Sequence, residues 1–156
     1  MRNLHEWLSE YGESHQNKTN KLIHWFCVPI IMISIFGLLY CIPYFQDRDW
    51  MHNWGFIILI PILFFYFQLS KKIFFVFIVI GIGLLKFNEF LFHCLNYQIQ
   101  SMLFLHIIIF SIAWIFQFYG HKIEGKKPSF LKDIQFLLIG PAWLLSFIFK
   151  KLNIEL

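Results

Sequence analysis

The stretch Tyr11-Gly-Glu-Ser-His15-Gln-Asn17-Lys-Thr-Asn20-Lys-Leu-Ile-His24-Trp-Phe-Cys-Val-Pro29 decides the fold. Its two histidines and two asparagines lead into the first long apolar run, Ile23 to Phe45, which meets the roughly 20 residues that a bilayer crossing requires. A second polar knot, Gln117, Gly120, His121, Glu124 and Pro128, directly follows another long apolar run. The pattern reads as a membrane bundle that brings the two knots together around a metal ion.

Composition supports the bundle. Hydrophobic residues make up 58% of the 156 and charged residues 14%, against roughly 45–50% and 25% in soluble domains. The mean hydropathy is +0.62, and 21 residues are phenylalanine. A soluble protein of this size has too little interior to hide so much apolar surface. We expect an all-α integral membrane helical bundle of four or five apolar helices. It would form one membrane domain over residues 1–156, with residues 1–19 an interfacial N-terminal helix and residues 20–156 the bundle. The formal net charge is +4, but the basic residues are scattered along the loops between apolar runs. That placement argues for topology signals and against a nucleic-acid partner. Cys27, Cys41 and Cys94 show no CxxC spacing and read as free, packed thiols. No basic segment followed by an apolar one opens the chain, so the first membrane helix is expected to serve as the insertion signal.

Working outward, residues 3–16 carry Leu4, Trp7, Leu8 and Tyr11 on one stripe, which His15 continues. This helix is expected to lie at the interface, with Trp7 and Tyr11 at headgroup depth. Thr19 is the expected N-cap of the next helix, in which Asn20 and His24 share a face. The later apolar runs are Trp54 to Leu69, Ile73 to Phe92, Met102 to Tyr119 and Ile134 to Phe149, with a loop from Gly120 to Asp133. With the N-terminus inside, nine Lys and Arg fall on that side: Arg2, Lys18, Lys21, Lys71, Lys72, Lys122, Lys126, Lys127 and Lys132. If the last run turns back at Gly140-Pro141, Lys150 and Lys151 join them and the bias becomes 11 to 1, with Arg48 opposite. We favour that re-entrant form and a cytoplasmic N-terminus. The knots then share one membrane face.

Neutral imidazole is the commonest side-chain ligand for iron, zinc and copper. His15, His24 and His121, each with an amide nearby, form a candidate metal group, with Asn20 and Gln117 able to orient the rings. Glu124 either completes the shell, hydrogen-bonds an imidazole, or is a solvated loop acid. Interfacial histidines without a metal remain the alternative reading of spacing alone. Lys86 and Glu89 read as a relay or as a self-neutralising ion pair near the far interface. His106 is 15 residues from His121, roughly 22 Å along a helix, and belongs elsewhere. His93 sits toward the opposite face, and nothing around His5 or His52 suggests chemistry. No histidine box, GxSxG, HExxH, phosphate loop or CxxCH is present.

The string Tyr11-x3-His15-x4-Asn20-x3-His24-x4-Pro29, then Trp114-Ile-Phe-Gln117-Phe-Tyr-Gly-His121, Glu124, Pro128 and Gly140-Pro141, resembles the Mpo1-like proteins (DUF962). The resemblance runs from Tyr11 to about Phe149. It implies an iron(II)-dependent dioxygenase that performs one-carbon alpha-oxidation of 2-hydroxy fatty acids with O2. His15, His24 and His121 would then bind Fe(2+) and carry catalysis, Glu124 would be a further metal residue, and Asn20 and Gln117 would assist cofactor binding. With the charge bias placing the site on the cytoplasmic face, the expected location is the inner membrane if bacterial and the endoplasmic reticulum if eukaryotic. Two other classes fit the same residues: a non-enzymatic lipid-binding scaffold or small transporter, and a zinc-dependent lipid hydrolase.

Overall fold

The computed structural model describes residues 2–129 and 135–156. Lys132, the end of the 120–133 loop and Ile134 lie outside the described residues. The described chain is all helical: α1 (Leu4–Glu13), α2 (Lys18–Cys41), α3 (Trp54–Leu69), α4 (Lys71–Cys94), α5 (Ile99–Glu124) and α6 (Phe136–Lys151). α2, α4 and α5 are long and apolar enough to cross a membrane, and α3 is a shorter apolar helix.

The surface is inverted relative to a soluble protein. Val79 is 72% exposed and Phe26 65%, while His15, Asn20, Ser34 and His106 are fully buried. An apolar belt outside and polar groups inside is the arrangement that hydrocarbon imposes. The fold is a membrane helical bundle.

Helix α1 starts at Asn3, whose side chain accepts the Glu6 N–H while Glu6 reaches back to the Asn3 N–H, a capping box. Its stripe does not face headgroups. Leu4, Trp7 and Tyr11 are buried, and Trp7 and Tyr11 pack on Phe136 and Trp143 of α6. Helix α2 is capped by Asn17, not by the expected Thr19. The Asn17 carboxamide oxygen accepts from the Thr19 and Asn20 N–H groups at 2.8 and 3.4 Å.

α2 and α5 pack along most of their length, and small residues allow it. At Gly37 a Cβ would lie 2.1 Å from Nε2 of His106, so the imidazole occupies the space that a side chain there would need. The expected loop at Gly120 is absent: α5 continues to Glu124 and ends at Gly125, which is left-handed at φ 73°. Gln117, His121 and Glu124 therefore ride on one helix.

The reversal expected at Gly140-Pro141 is also absent, because α6 runs unbroken through Pro141. Even so, α6 stays at one end of the bundle. Tyr66 Oη, at the end of α3, donates to the Leu138 carbonyl at 2.6 Å, and Lys72 at the start of α4 donates to the Glu155 carbonyl. Both ends of the last segment thus touch the α3–α4 turn. α1 and α6 together form a layer over the end where the two polar knots meet.

At the opposite end, Lys86 and Glu89 do not pair with each other. Both meet Trp50: the Lys86 ammonium lies 5.1 Å from its ring centroid, and Glu89 accepts its backbone N–H at 3.2 Å. They anchor the loop between α2 and α3.

Candidate metal centre

His15 leaves the helical register before the metal group is built. α1 ends at Glu13, so His15 lies in the 14–17 connection and not on the helix where the stripe placed it. It still reaches back one turn. Its Nδ1 contacts the Tyr11 carbonyl at 2.6 Å, and its ring stacks on Tyr11 with centroids 4.1 Å apart. His24 uses the same device inside α2, with Nδ1 3.0 Å from the Asn20 carbonyl.

A carbonyl can only accept, so both Nδ1 atoms carry the proton and both Nε2 atoms of the neutral rings present lone pairs. Those two Nε2 atoms are 3.0 Å apart. Two lone pairs at that distance repel unless a cation lies between them. A proton is a poor candidate: burial, reinforced by the neighbouring His24 ring, lowers the His15 pKa to about 3 despite the hydrogen bond to Tyr11. A metal ion suits the spacing, since two nitrogens each about 2.1 Å from one ion lie roughly 3 to 3.5 Å apart.

His121 completes the group. Its ring centroid is 4.8 Å from that of His15 and 5.1 Å from that of His24, and one nitrogen from each ring falls within 4.8 Å of the others. All three rings are buried, and the buried Nδ1 of His121 has no hydrogen-bond partner among the described residues. The residues fit a soft-to-borderline divalent ion such as iron, zinc or copper.

Glu124 lies outside this group of three. Its carboxylate accepts the Gln16 and Asn17 backbone N–H groups, each at 2.8 Å, and the Asn20 carboxamide at 3.2 Å. Those bonds tie the 14–17 connection to α5 and hold His15 in place. The Asn20 side chain also donates to the Ser14 carbonyl at 3.1 Å, so its backbone, not its amide, orients His24. Close approach is possible because a Cβ at Gly120 would lie 2.4 Å from Asn20 Oδ1. Gln117 makes no hydrogen bond among the described residues and lines a cavity one turn before His121.

Sequence reasoning missed three supports. Ser14 Oγ bonds His15 Nδ1 at 3.1 Å and Ser129 Oγ at 2.6 Å, and the Trp143 ring lies 5.2 Å from the His15 ring. Ser129 offered no signal, being one serine in a polar loop. Trp143 stood two residues after the Gly140-Pro141 pair that marked α6. His106, His93, His52 and His5 are not in the group, as expected; His52 pairs with Asp49 at 2.7 Å.

Two of the three histidines, His24 and His121, open onto a cavity of about 240 Å³. His24, Gln117 and His121 stand at one end, and Phe36, Leu59 and Leu84 line it deeper in the bundle. Its walls are almost wholly apolar.

Comparison with known proteins agrees with the residues. The chain is 27% identical over 150 residues to the 2-hydroxy-palmitic acid dioxygenase MPO1 of Saccharomyces cerevisiae, covering 94% of this chain and 80% of the yeast protein. No solved structure matches. Residues 1–152 match the family described as 2-hydroxy-palmitic acid dioxygenase Mpo1-like, and the chain belongs to that family.

Proposed function

We propose that the protein is a non-haem iron(II) dioxygenase that removes one carbon from 2-hydroxy fatty acids. One observation carries the reading: two imidazoles, each fixed by a carbonyl one turn earlier, aim unprotonated nitrogens at each other at 3.0 Å beside an apolar cavity. The name of the yeast relative supports the substrate class.

His15, His24 and His121 would hold the ion. A bound iron(II) would supply the binding and reduction of dioxygen. The Tyr11 and Asn20 carbonyls keep the two Nδ1 protons in place, so the opposite nitrogens stay free to ligate. Tyr11 itself remains a neutral phenol, since burial raises its pKa. Glu124 acts through the 14–17 connection as a positioning residue. The Gln117 carboxamide is suited to the hydroxyl or carboxylate of the substrate head, while the cavity takes the tail and excludes water. The overall change balances without an organic cofactor: 2-hydroxy acid plus O2 gives the acid one carbon shorter, carbon dioxide and water. The Lys and Arg asymmetry supports a cytoplasmic site, at the inner membrane of a bacterium or the endoplasmic reticulum of a eukaryote.

The test is metal quantification with oxygen uptake on purified protein given 2-hydroxypalmitate. Stoichiometric iron and substrate-dependent O2 consumption are expected. Zinc with activity that persists without oxygen would point to a hydrolase. Absence of stoichiometric metal would leave a lipid-binding scaffold.

A further inference from the structure

The cavity does more than solvate an alkyl tail, because it has a floor. From His24, α2 lines it through Val28, Ile31, Met32 and Ile35 down to Phe36, a stripe along one side of the helix. Phe36 stands twelve positions after His24, which is about 18 Å of helix. A zigzag of about 1.5 Å bonds at about 111° advances roughly 1.25 Å per carbon, so about 14 carbons span that depth.

At the deep end the cavity is lined by Leu59 of α3 and by Gly81 and Leu84 of α4. At Gly81 of α4 a Cβ would lie 2.6 and 2.8 Å from the two methyl carbons of Leu59. Leu59 therefore fills the space that a side chain at residue 81 would take. Behind it, Phe36, Leu59 and Leu85 form a buried cluster, so Leu59 is backed and not free to swing away. Leu84 lines the same end. No polar side chain lines the cavity from Val28 to Phe36 on α2, or at Leu59, Ile80, Gly81 and Leu84.

We propose that the Leu59–Gly81 contact, with Phe36 and Leu84, is a chain-length gauge that selects long saturated 2-hydroxy acyl chains. This deepens the functional reading above and rests on it, since the gauge measures from a polar head held at the three histidines. Each methylene moved from water into the cavity is worth about fourfold in binding, so two carbons gained or lost shift relative affinity on the order of tenfold.

The experiment uses the full chain and a graded series of saturated 2-hydroxy acids that differ by two carbons. Oxygen uptake gives kcat/KM for each acid. Equilibrium binding is measured without oxygen by quenching of tryptophan fluorescence, Trp114 being a lining residue. In Leu59→Ala the preferred length should rise by about two carbons, and in Gly81→Ala and Leu84→Phe it should fall, with on the order of tenfold reversal between neighbouring acids. Leu84 is only half-buried, so Leu84→Phe keeps the test alive if Leu59→Ala fails to fold. Unchanged length profiles in folded, active variants would overturn the gauge. Length profiles of binding that shift as stated, without oxygen uptake in any protein, would support the gauge and sink the dioxygenase reading. Binding that is flat across chain length would overturn the gauge whatever the turnover.

Discussion

Two places in the bundle bury histidine completely, and they are built in opposite ways. His15 and His106 both have 0% exposure. At His15 and His24 each ring is fixed at Nδ1 by a carbonyl four residues earlier, and the free nitrogens converge. At His106 neither ring nitrogen has a hydrogen-bond partner among the described residues, and the ring lies against Gly37, where α2 has no side chain. Burial alone therefore does not make a metal group. What sets the candidate group apart is anchoring from behind at two rings from separate segments, His15 and His24, which fixes the tautomer and directs a lone pair beside the third ring, His121.

The comparison breaks most sharply under substitution of an anchored ring. His24→Ala should remove bound metal and lower oxygen uptake by more than about 100-fold, beyond the 10–100-fold that loss of an outer partner usually costs. Metal analysis and uptake on one preparation check it, and retention of stoichiometric metal would refute the three-histidine group.

Next in size is Glu124→Gln. The amide can no longer accept from both the Gln16 and Asn17 N–H groups, so the connection carrying His15 should loosen. Metal affinity should weaken by about 10–100-fold with the helices intact, read by metal titration beside circular dichroism. A ligand role for Glu124 would instead show as changed spectroscopy of the bound ion at unchanged His15 order.

The other half of the comparison is a packing matter. Gly37→Ala places a methyl within 2.1–2.4 Å of three His106 ring atoms, and overpacking of this kind costs about 1–3 kcal/mol. The double variant with His106→Ala should recover much of that loss, which a double-mutant cycle in detergent measures. Smallest of all, His106→Leu should change stability by less than about 1.5 kcal/mol and leave metal content untouched. Metal loss in that variant would mean that the two buried regions are coupled.

Much of this was legible residue by residue. Trp54 to Leu69 has the same bounds as an apolar run and as α3, because a helix in hydrocarbon must start and stop with its apolar residues. The histidines of the site were legible through spacing and family resemblance. The site's framing was not. Asn17 caps α2 in place of Thr19, two residues along, since a carboxamide reaches the first free N–H groups from there. Helix α5 passes through Gly120 because Asn20 fills the space beside it, a fact recorded in another helix. Glu124 serves the backbone of residues more than 100 positions away, and no local pattern announces such a bond.

The amino-acid sequence by itself determined that this chain is a membrane bundle with its basic loops biased to one side, and which rings were available to a metal. Hydropathy and helix length act locally, so they can be read without knowing what packs on what. Tertiary structure alone decided that α6 lies across one end without turning back, that three nitrogens converge, that Glu124 bonds the backbone next to His15, and how deep the cavity runs. Those are properties of distances between segments far apart in the chain, set by which surfaces pack together.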